Sequence, residues 1–176
     1  MSGKPYPKKA IENPVARFLI MSQATGLGLG YAPFAPGTFG SILGIPLGLA
    51  LLHIPLWQSY IICSVLFVIW SWVSHRACEH MGEMDTSKIV VDEVLGMALT
   101  LLGLRNAVRM DLVQGWQLAG FVFFGFVVFR ILDITKPYPA RMLDQRADGL
   151  GVMADDLVCG LYGSLFLWGF ARILLS

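Results

Sequence analysis

Three short acidic stretches hold the residues best suited to chemistry in this 176-residue chain: Val91-Asp92-Glu93-Val94, Arg130-Ile131-Leu132-Asp133-Ile134-Thr135-Lys136, and Ala154-Asp155-Asp156-Leu157 with Asp148 upstream. Adjacent acids on a helix point about 100° apart. In each pair one carboxylate can therefore face a site while the other caps the helix or supports its neighbour. Capping and dipole compensation account for one acid at a helix start. They leave the second acid of each pair unexplained, and also Asp133, which opposes the dipole at a helix end. Several carboxylates brought together repel unless a divalent cation neutralises them, and an all-oxygen ligand set selects Mg²⁺, Mn²⁺ or Ca²⁺ over zinc. Arg130, Lys136, Arg141 and Arg146 lie close by in sequence and suit an anionic substrate, arginine in particular matching phosphate. The spacing i, i+3, i+6 places Arg130, Asp133 and Lys136 on one helical face, and Pro137 ends that helix. The expected chemistry is a metal–phosphate site.

The elements that position these groups are apolar. Hydrophobic residues make up 56% of the chain and charged residues 14%, where soluble domains carry roughly a quarter charged. No Asp, Glu, Lys or Arg occurs between Arg17 and Arg76, or between Asp111 and Arg130. This is the composition of an integral membrane protein. A spanning helix needs about 20 apolar residues, and candidates lie at Ser41–Ile54, Leu56–Ser74, Leu112–Leu132 and Leu157–Leu175. The stretch Val94–Leu104 is short for a span and reads as half-buried, which makes the total four or five. The fold class is thus all-α, a polytopic bundle in one domain: an amphipathic arm (1–22), a Gly/Pro-rich loop (23–41) and the membrane helices (41–175). Phe18–Met21 is too short an apolar run for a signal-peptide core.

With the N-terminus inside, Lys4, Lys8, Lys9, Arg17, Arg76, Lys88, Arg130, Lys136, Arg141 and Arg146 fall on the cytoplasmic side, against Arg105, Arg109 and Arg172 outside, the bias expected of cytoplasmic loops. All the acids except Asp111 follow them inward. Carboxylates do not set topology, so chemistry at the cytoplasmic interface is the reason their distribution calls for. A net charge of +1 excludes a generic basic nucleic-acid binder. Cys63, Cys78 and Cys159 are odd in number and unrelated in spacing, which argues against a disulfide framework or a zinc site. No arginine stands six residues after any of them, so a Cys-x5-Arg phosphatase loop is absent. His75 and His80 read as a solvated interfacial face. Gly44 and Gly48 read as close helix packing.

Gly26, Gly28, Gly30, Pro33, Pro36, Gly37 and Gly40 point to irregular backbone before the first span. Such backbone is tolerated at membrane depth where protein buries it or it lines a polar cavity. It is either an interfacial loop with Thr38 or Ser41 capping the next helix, or a nest of N–H groups that receives an anion.

Four ordered blocks resemble the phosphatidylglycerophosphatase A family: Pro36-Gly37-Thr38-Phe39-Gly40-Ser41, Asp92-Glu93-x-x-Gly96, Phe129-Arg130-x-x-Asp133-x-x-Lys136-Pro137-x-Pro139, and Asp155-Asp156 followed by Gly160. The resemblance runs from about Gly26 to Gly160, and the catalytic blocks show no clear departure. It implies a Mg²⁺-dependent lipid phosphatase of the bacterial inner membrane that converts phosphatidylglycerophosphate to phosphatidylglycerol and inorganic phosphate. On that reading Glu93, Asp133 and Asp156 bind the metal, and Asp92 and Asp155 ligate or orient. Arg130, Lys136 and Arg141 neutralise the phosphoryl group, while Gly37, Thr38 and Ser41 hold the phosphate or glycerol. Activated water is the expected nucleophile. An aspartyl-phosphate at Asp133 is the competing route, although Asp133-Ile134-Thr135 lacks the second Asp of the Asp-x-Asp signature. A CDP-alcohol phosphotransferase is a rival, but Asp144-x-x-x-Asp148-Gly149 has the wrong spacing for it. An ion transporter is a second, opposed by the gathering of acids at one face.

Overall fold

A computed structural model describes residues 4–84, 86–144 and 149–175; Asp85, Arg146 and Asp148, all counted above, lie outside the described residues. Local chemistry sets the helix ends. Helix α1 (Pro14–Ala24) starts at Asn13, whose side chain accepts from the N–H groups of Val15 and Ala16, and Pro14 occupies a position where no N–H is needed. Helix α2 (Pro36–Leu52) also opens on a proline. Helix α3 (Leu56–Met81) follows the tight His53-Ile54-Pro55 turn and stops at Gly82, whose φ of 75° suits a residue without Cβ. Helix α4 (Val91–Leu101) continues through a 3₁₀ turn at Leu102–Leu104 into α5 (Arg105–Arg109). Helices α6 (Gly115–Thr135), α7 (Ala140–Leu143) and α8 (Gly149–Leu174) complete the bundle. Two-residue strands, β1 (Lys4–Pro5) and β2 (Glu83–Met84), pair antiparallel.

Three helices, α2, α4 and α8, run parallel, and glycines let them touch. Along α2, Gly40, Gly44 and Gly48 face Val90, Val94 and Ala98 in turn; a Cβ on Gly44 would stand 2.5 Å from the Val94 carbonyl oxygen. A Cβ on Gly160 of α8 would meet the Gly96 carbonyl oxygen at 2.5 Å, and one on Gly96 would strike the Phe129 ring of α6 at 2.6 Å. This is membrane-type packing, in which small residues allow backbones to approach. The expected role of Gly44 and Gly48 is borne out. Helices α3 and α6 run the other way: Ser59 Oγ donates to the Leu51 carbonyl across the α2–α3 hairpin at 2.9 Å. The starts of α2, α4 and α8 therefore meet the ends of α3 and α6 at one end of the bundle.

Among the described residues three helices are long and apolar enough to cross a membrane, α3, α6 and α8, with at most a third of each apolar window buried inside the chain. Helix α2 is apolar but has 17 residues, a rise of about 25 Å. Helix α4 is the opposite case. Every residue from Val94 to Leu101 is buried, and its 11 residues rise only ~16 Å, about half the hydrocarbon thickness. Neighbouring helices take the place of lipid around it. The weak third segment is thus a broken, protein-covered run rather than a lipid-facing span.

Several expectations need correction. Residues 36–41 are not loop: they form the first turns of α2, and Ala35, in a left-handed conformation, precedes it in place of a Thr38 or Ser41 cap. Proline at the first position and glycines against α4 suit a helix start, which their composition alone had argued against. Asp155 and Asp156 do not cap α8, which already begins at Gly149. Lys136 leaves the helical face of Arg130 and Asp133, because its φ of 42° turns the chain out of α6. The histidines are tied to the N-terminal arm: Ile11 N–H donates to His80 Nδ1, and the Tyr6 hydroxyl lies 3.2 Å from His75 Nδ1.

Candidate active site

At the end where α2, α4 and α8 begin, a cavity of about 100 Å³ is lined by Asp92, Glu93, Asp133, Lys136, Asp144, Asp155 and Asp156, with Thr86, Ser87, Ile89 and Val152 closing the wall. The three acidic stretches of the sequence do converge. Helix α4 presents Asp92 and Glu93 from its first turn, α8 presents Asp155 and Asp156 from its second, and α6 presents Asp133 from its last.

The five acids have different surroundings. One oxygen each from Asp92, Glu93 and Asp156 lies within 4.8 Å of the other two. Glu93 Oε2, Asp155 Oδ1 and Asp156 Oδ1 are buried with no hydrogen-bond partner among the described residues. Burial pushes the Asp92 carboxyl well above the usual carboxylate range, and the charges of Glu93 and Asp155 push it further. Burial likewise raises Glu93, with Asp156 and Asp133 adding to the effect against a lowering hydrogen bond from Asp92. Three carboxylates this close together, two of them with an orphaned oxygen, fit a hard divalent cation, which would restore their charged form. Asp133 and Asp155 are drawn elsewhere. Arg130 Nη1 donates to Asp133 Oδ2 at 2.6 Å, as the i, i+3 spacing predicts, and Lys136 Nζ donates to Asp155 Oδ2 at 2.5 Å and also to Asp144. Burial alone would lower the Lys136 pKa, but Asp155 and Asp144 outweigh it and hold the ammonium charged.

Behind this layer stands the start of α2. Gly37 is packed so close that a Cβ would collide with Glu93 Oε1 and reach Arg130 Nη1 at 3.1 Å. Ser41, fully buried, donates to the Gly37 carbonyl at 2.9 Å and accepts from Arg130 Nη1 at 3.4 Å. Gly37 and Ser41 thus adjoin the site through Glu93 and Arg130. Thr38 and Arg141 do not line the cavity, and Arg141 is exposed on α7. Sequence reading did not assign Asp144, Thr86 or Ser87 to the site. Asp144 had a visible signal, an acid shortly after the α6 exit; Thr86 and Ser87 had none, since only tertiary packing brings their turn over the acids.

These features define a class: an integral membrane protein with a carboxylate-lined, cation-compatible site set into one end of its helical bundle. The chain belongs to the phosphatidylglycerophosphatase A family, whose profile matches residues 22–171. It is 37% identical over 147 residues to the phosphatidylglycerophosphatase A of Escherichia coli K12, covering 82% of this chain and 79% of that protein. Identity to the Haemophilus influenzae phosphatidylglycerophosphatase A is 30% over 168 residues, or 94% of either chain. A Bacteroides thetaiotaomicron protein, provisionally named a phosphatidylinositol-3-phosphatase, is 32% identical over 155 residues, covering 85% of this chain and 92% of its own. No solved structure matches the chain.

Proposed function

We propose that this protein hydrolyses the terminal phosphomonoester of phosphatidylglycerophosphate to phosphatidylglycerol and inorganic phosphate, with Mg²⁺ held by Asp92, Glu93 and Asp156. The observation that carries this reading is the tight group of three carboxylates, of which Glu93 and Asp156 each keep an oxygen with no partner among the described residues, in a chain of this family. When bound, the metal polarises phosphoryl oxygens and lowers the pKa of water. The chain's own groups do the positioning. Lys136, within the cavity, neutralises phosphoryl oxygens, and Arg130, locked by Asp133 and Ser41, supplies a second fixed cation beside it. Asp155 uses Oδ2 to hold Lys136; its unpartnered Oδ1 accepts a proton from the attacking water. The new P–O bond forms in line with the glycerol oxygen, whose bond to phosphorus breaks, and the departing alkoxide takes a proton from bulk water at this end of the bundle. Three parallel helix starts add the positive ends of their dipoles. The basic residues gathered there support a cytoplasmic orientation of this end in a bacterial inner membrane, in which the headgroup enters the site while its acyl chains stay in lipid.

The test is phosphate release from phosphatidylglycerophosphate in detergent micelles, with Mg²⁺ or excess EDTA, for wild type, Glu93→Gln and Asp133→Asn. Release that requires Mg²⁺ and is lost in both variants is expected. Release that persists in EDTA would sink the metal assignment. A folded, lipid-supplemented sample that spares this substrate but cleaves phosphatidylinositol 3-phosphate would move the reading to the other headgroup.

A further inference from the structure

Helix α1 is apolar on two opposite faces. Ile20 and Ala24 are buried against the bundle, while Val15, Phe18 and Leu19, spaced i, i+3, i+4 on one face, are 53–71% exposed. A helix apolar all round needs cover on both sides. The turn after α1 extends the exposed face with Leu27, Tyr31 and Phe34, which are 79%, 56% and 81% exposed. Leu27 also has a φ of 59°, a left-handed conformation that bulky residues rarely adopt. In water neither that strain nor that exposure is stabilising.

Both ends of α1 are tied to the acidic end of the bundle. Ile11, just before it, donates its N–H to His80 in the last turn of α3 at 3.2 Å. Ala24, its last residue, accepts from the Val90 N–H at 2.9 Å, and Val90 immediately precedes the turn of α4 that carries Asp92 and Glu93. Gly30 presses on the same segment: a Cβ there would stand 1.9 Å from the Lys88 carbonyl oxygen. With 11 residues, α1 rises ~16 Å, so it lies along this end of the bundle and does not cross a bilayer.

Two observations identify what covers its outer face. The exposed strip continues onto α2 through Phe39, Ile42, Pro46 and Ala50, none of them polar, and so joins the apolar wall of a membrane bundle. Beside it stand exposed Lys8, Lys9 and Arg17, with Glu12 the one acid of residues 6–34, a basic excess that suits anionic headgroups. Interfacial segments bind by this combination of apolar area and attraction to anionic lipid.

We infer that α1 and residues 27–34 form an interfacial anchor, lying in the headgroup layer of the membrane with their apolar side chains at the acyl boundary, and that they seat the start of α4 at the depth of the lipid phosphates. The seating role rests on the function proposed above; the lipid contact does not.

The experiment uses the full chain reconstituted in vesicles of phosphatidylcholine and phosphatidylserine. A nitroxide is attached to Phe18→Cys, to Leu27→Cys or, as a reference on the exposed face of α3, to Ile69→Cys; the native cysteines are buried. Collision with oxygen, which concentrates in lipid, is compared with collision with a water-soluble nickel chelate. The labels on α1 and its turn are expected to favour oxygen, as the α3 label does. Preference for nickel would overturn the inference, and so would shielding from both reagents, which means a protein neighbour such as a second copy. Phosphate release then tests the seating role. For Phe18→Glu/Leu27→Glu, KM for long-chain phosphatidylglycerophosphate in vesicles should rise about tenfold or more, with kinetics on a monomeric short-chain substrate unchanged. Unchanged KM in vesicles, or equal losses on both substrates in the folded variant, would overturn that role. If wild type releases no phosphate, the substrate reading fails while the labels still decide the anchor.

Discussion

The two ends of this bundle handle charge in opposite ways. At one end Arg130 and Lys136 pair with Asp133, Asp144 and Asp155, yet one carboxylate oxygen each of Glu93, Asp155 and Asp156 has no partner among the described residues. At the other, Arg105 is buried, and its Nε and Nη2 have no hydrogen-bond partner among the described residues. Desolvated charge is costly in either sign. The acidic end thus calls for a cation, and helix direction favours each end's own charges: α2, α4 and α8 start among the acids, and α8 finishes near Arg172. Both ends are built on the same three parallel helices, joined through glycine contacts.

The largest effect that would sharpen this contrast comes from the acidic end. Asp156→Asn is expected to cut turnover of phosphatidylglycerophosphate by more than the ~10–100-fold typical of groups that only support a metal ligand, measured as phosphate release at saturating Mg²⁺. A folded variant with wild-type turnover would remove Asp156 from the site. Next comes the seam between the two ends. Gly44→Ala forces a Cβ onto the Val94 carbonyl and should destabilise the fold by about 1–3 kcal/mol, seen as a lower Tm in detergent. Ser41→Ala removes the hydroxyl behind Arg130 and should cost up to about tenfold in kcat/KM with Tm little changed; a folded variant with wild-type kcat/KM would remove Ser41 from the site. The smallest effect is expected at Gly120, where nothing lies within 4 Å of an added Cβ. Gly120→Ala should leave Tm unchanged or slightly raised, and a large loss there would mean that an unseen partner covers α6.

Some of this was legible in the sequence because the signals were local. The i, i+3 spacing of Arg130 and Asp133 fixed their pairing, the apolar stretches located α3, α6 and α8, and the shortness of Val94–Leu104 foretold a segment unlike the others. What stayed hidden depended on backbone turns and on contacts between distant residues. One left-handed residue moved Lys136 from the Arg130 face to Asp144 and Asp155. The glycines of residues 36–41 looked like loop formers but serve helix contact, because the reason for them is Val90 and Glu93, some fifty residues away. Arg105 entered only as one of three outer charges; its burial is a product of packing.

The covered position of α4 has a consequence for how the protein is made. Its Gly96 and Thr100 rest on Gly160 and Gly163 of α8, a helix the ribosome begins only about fifty residues after α4 ends. Until then the segment is too short to settle in lipid by itself and has just part of its protein surroundings. Membrane insertion of this chain is therefore expected to finish from its C-terminal side. A chain halted before Gly149 should be recognised as unassembled and degraded, which pulse-chase labelling of such a truncation against the full chain would reveal.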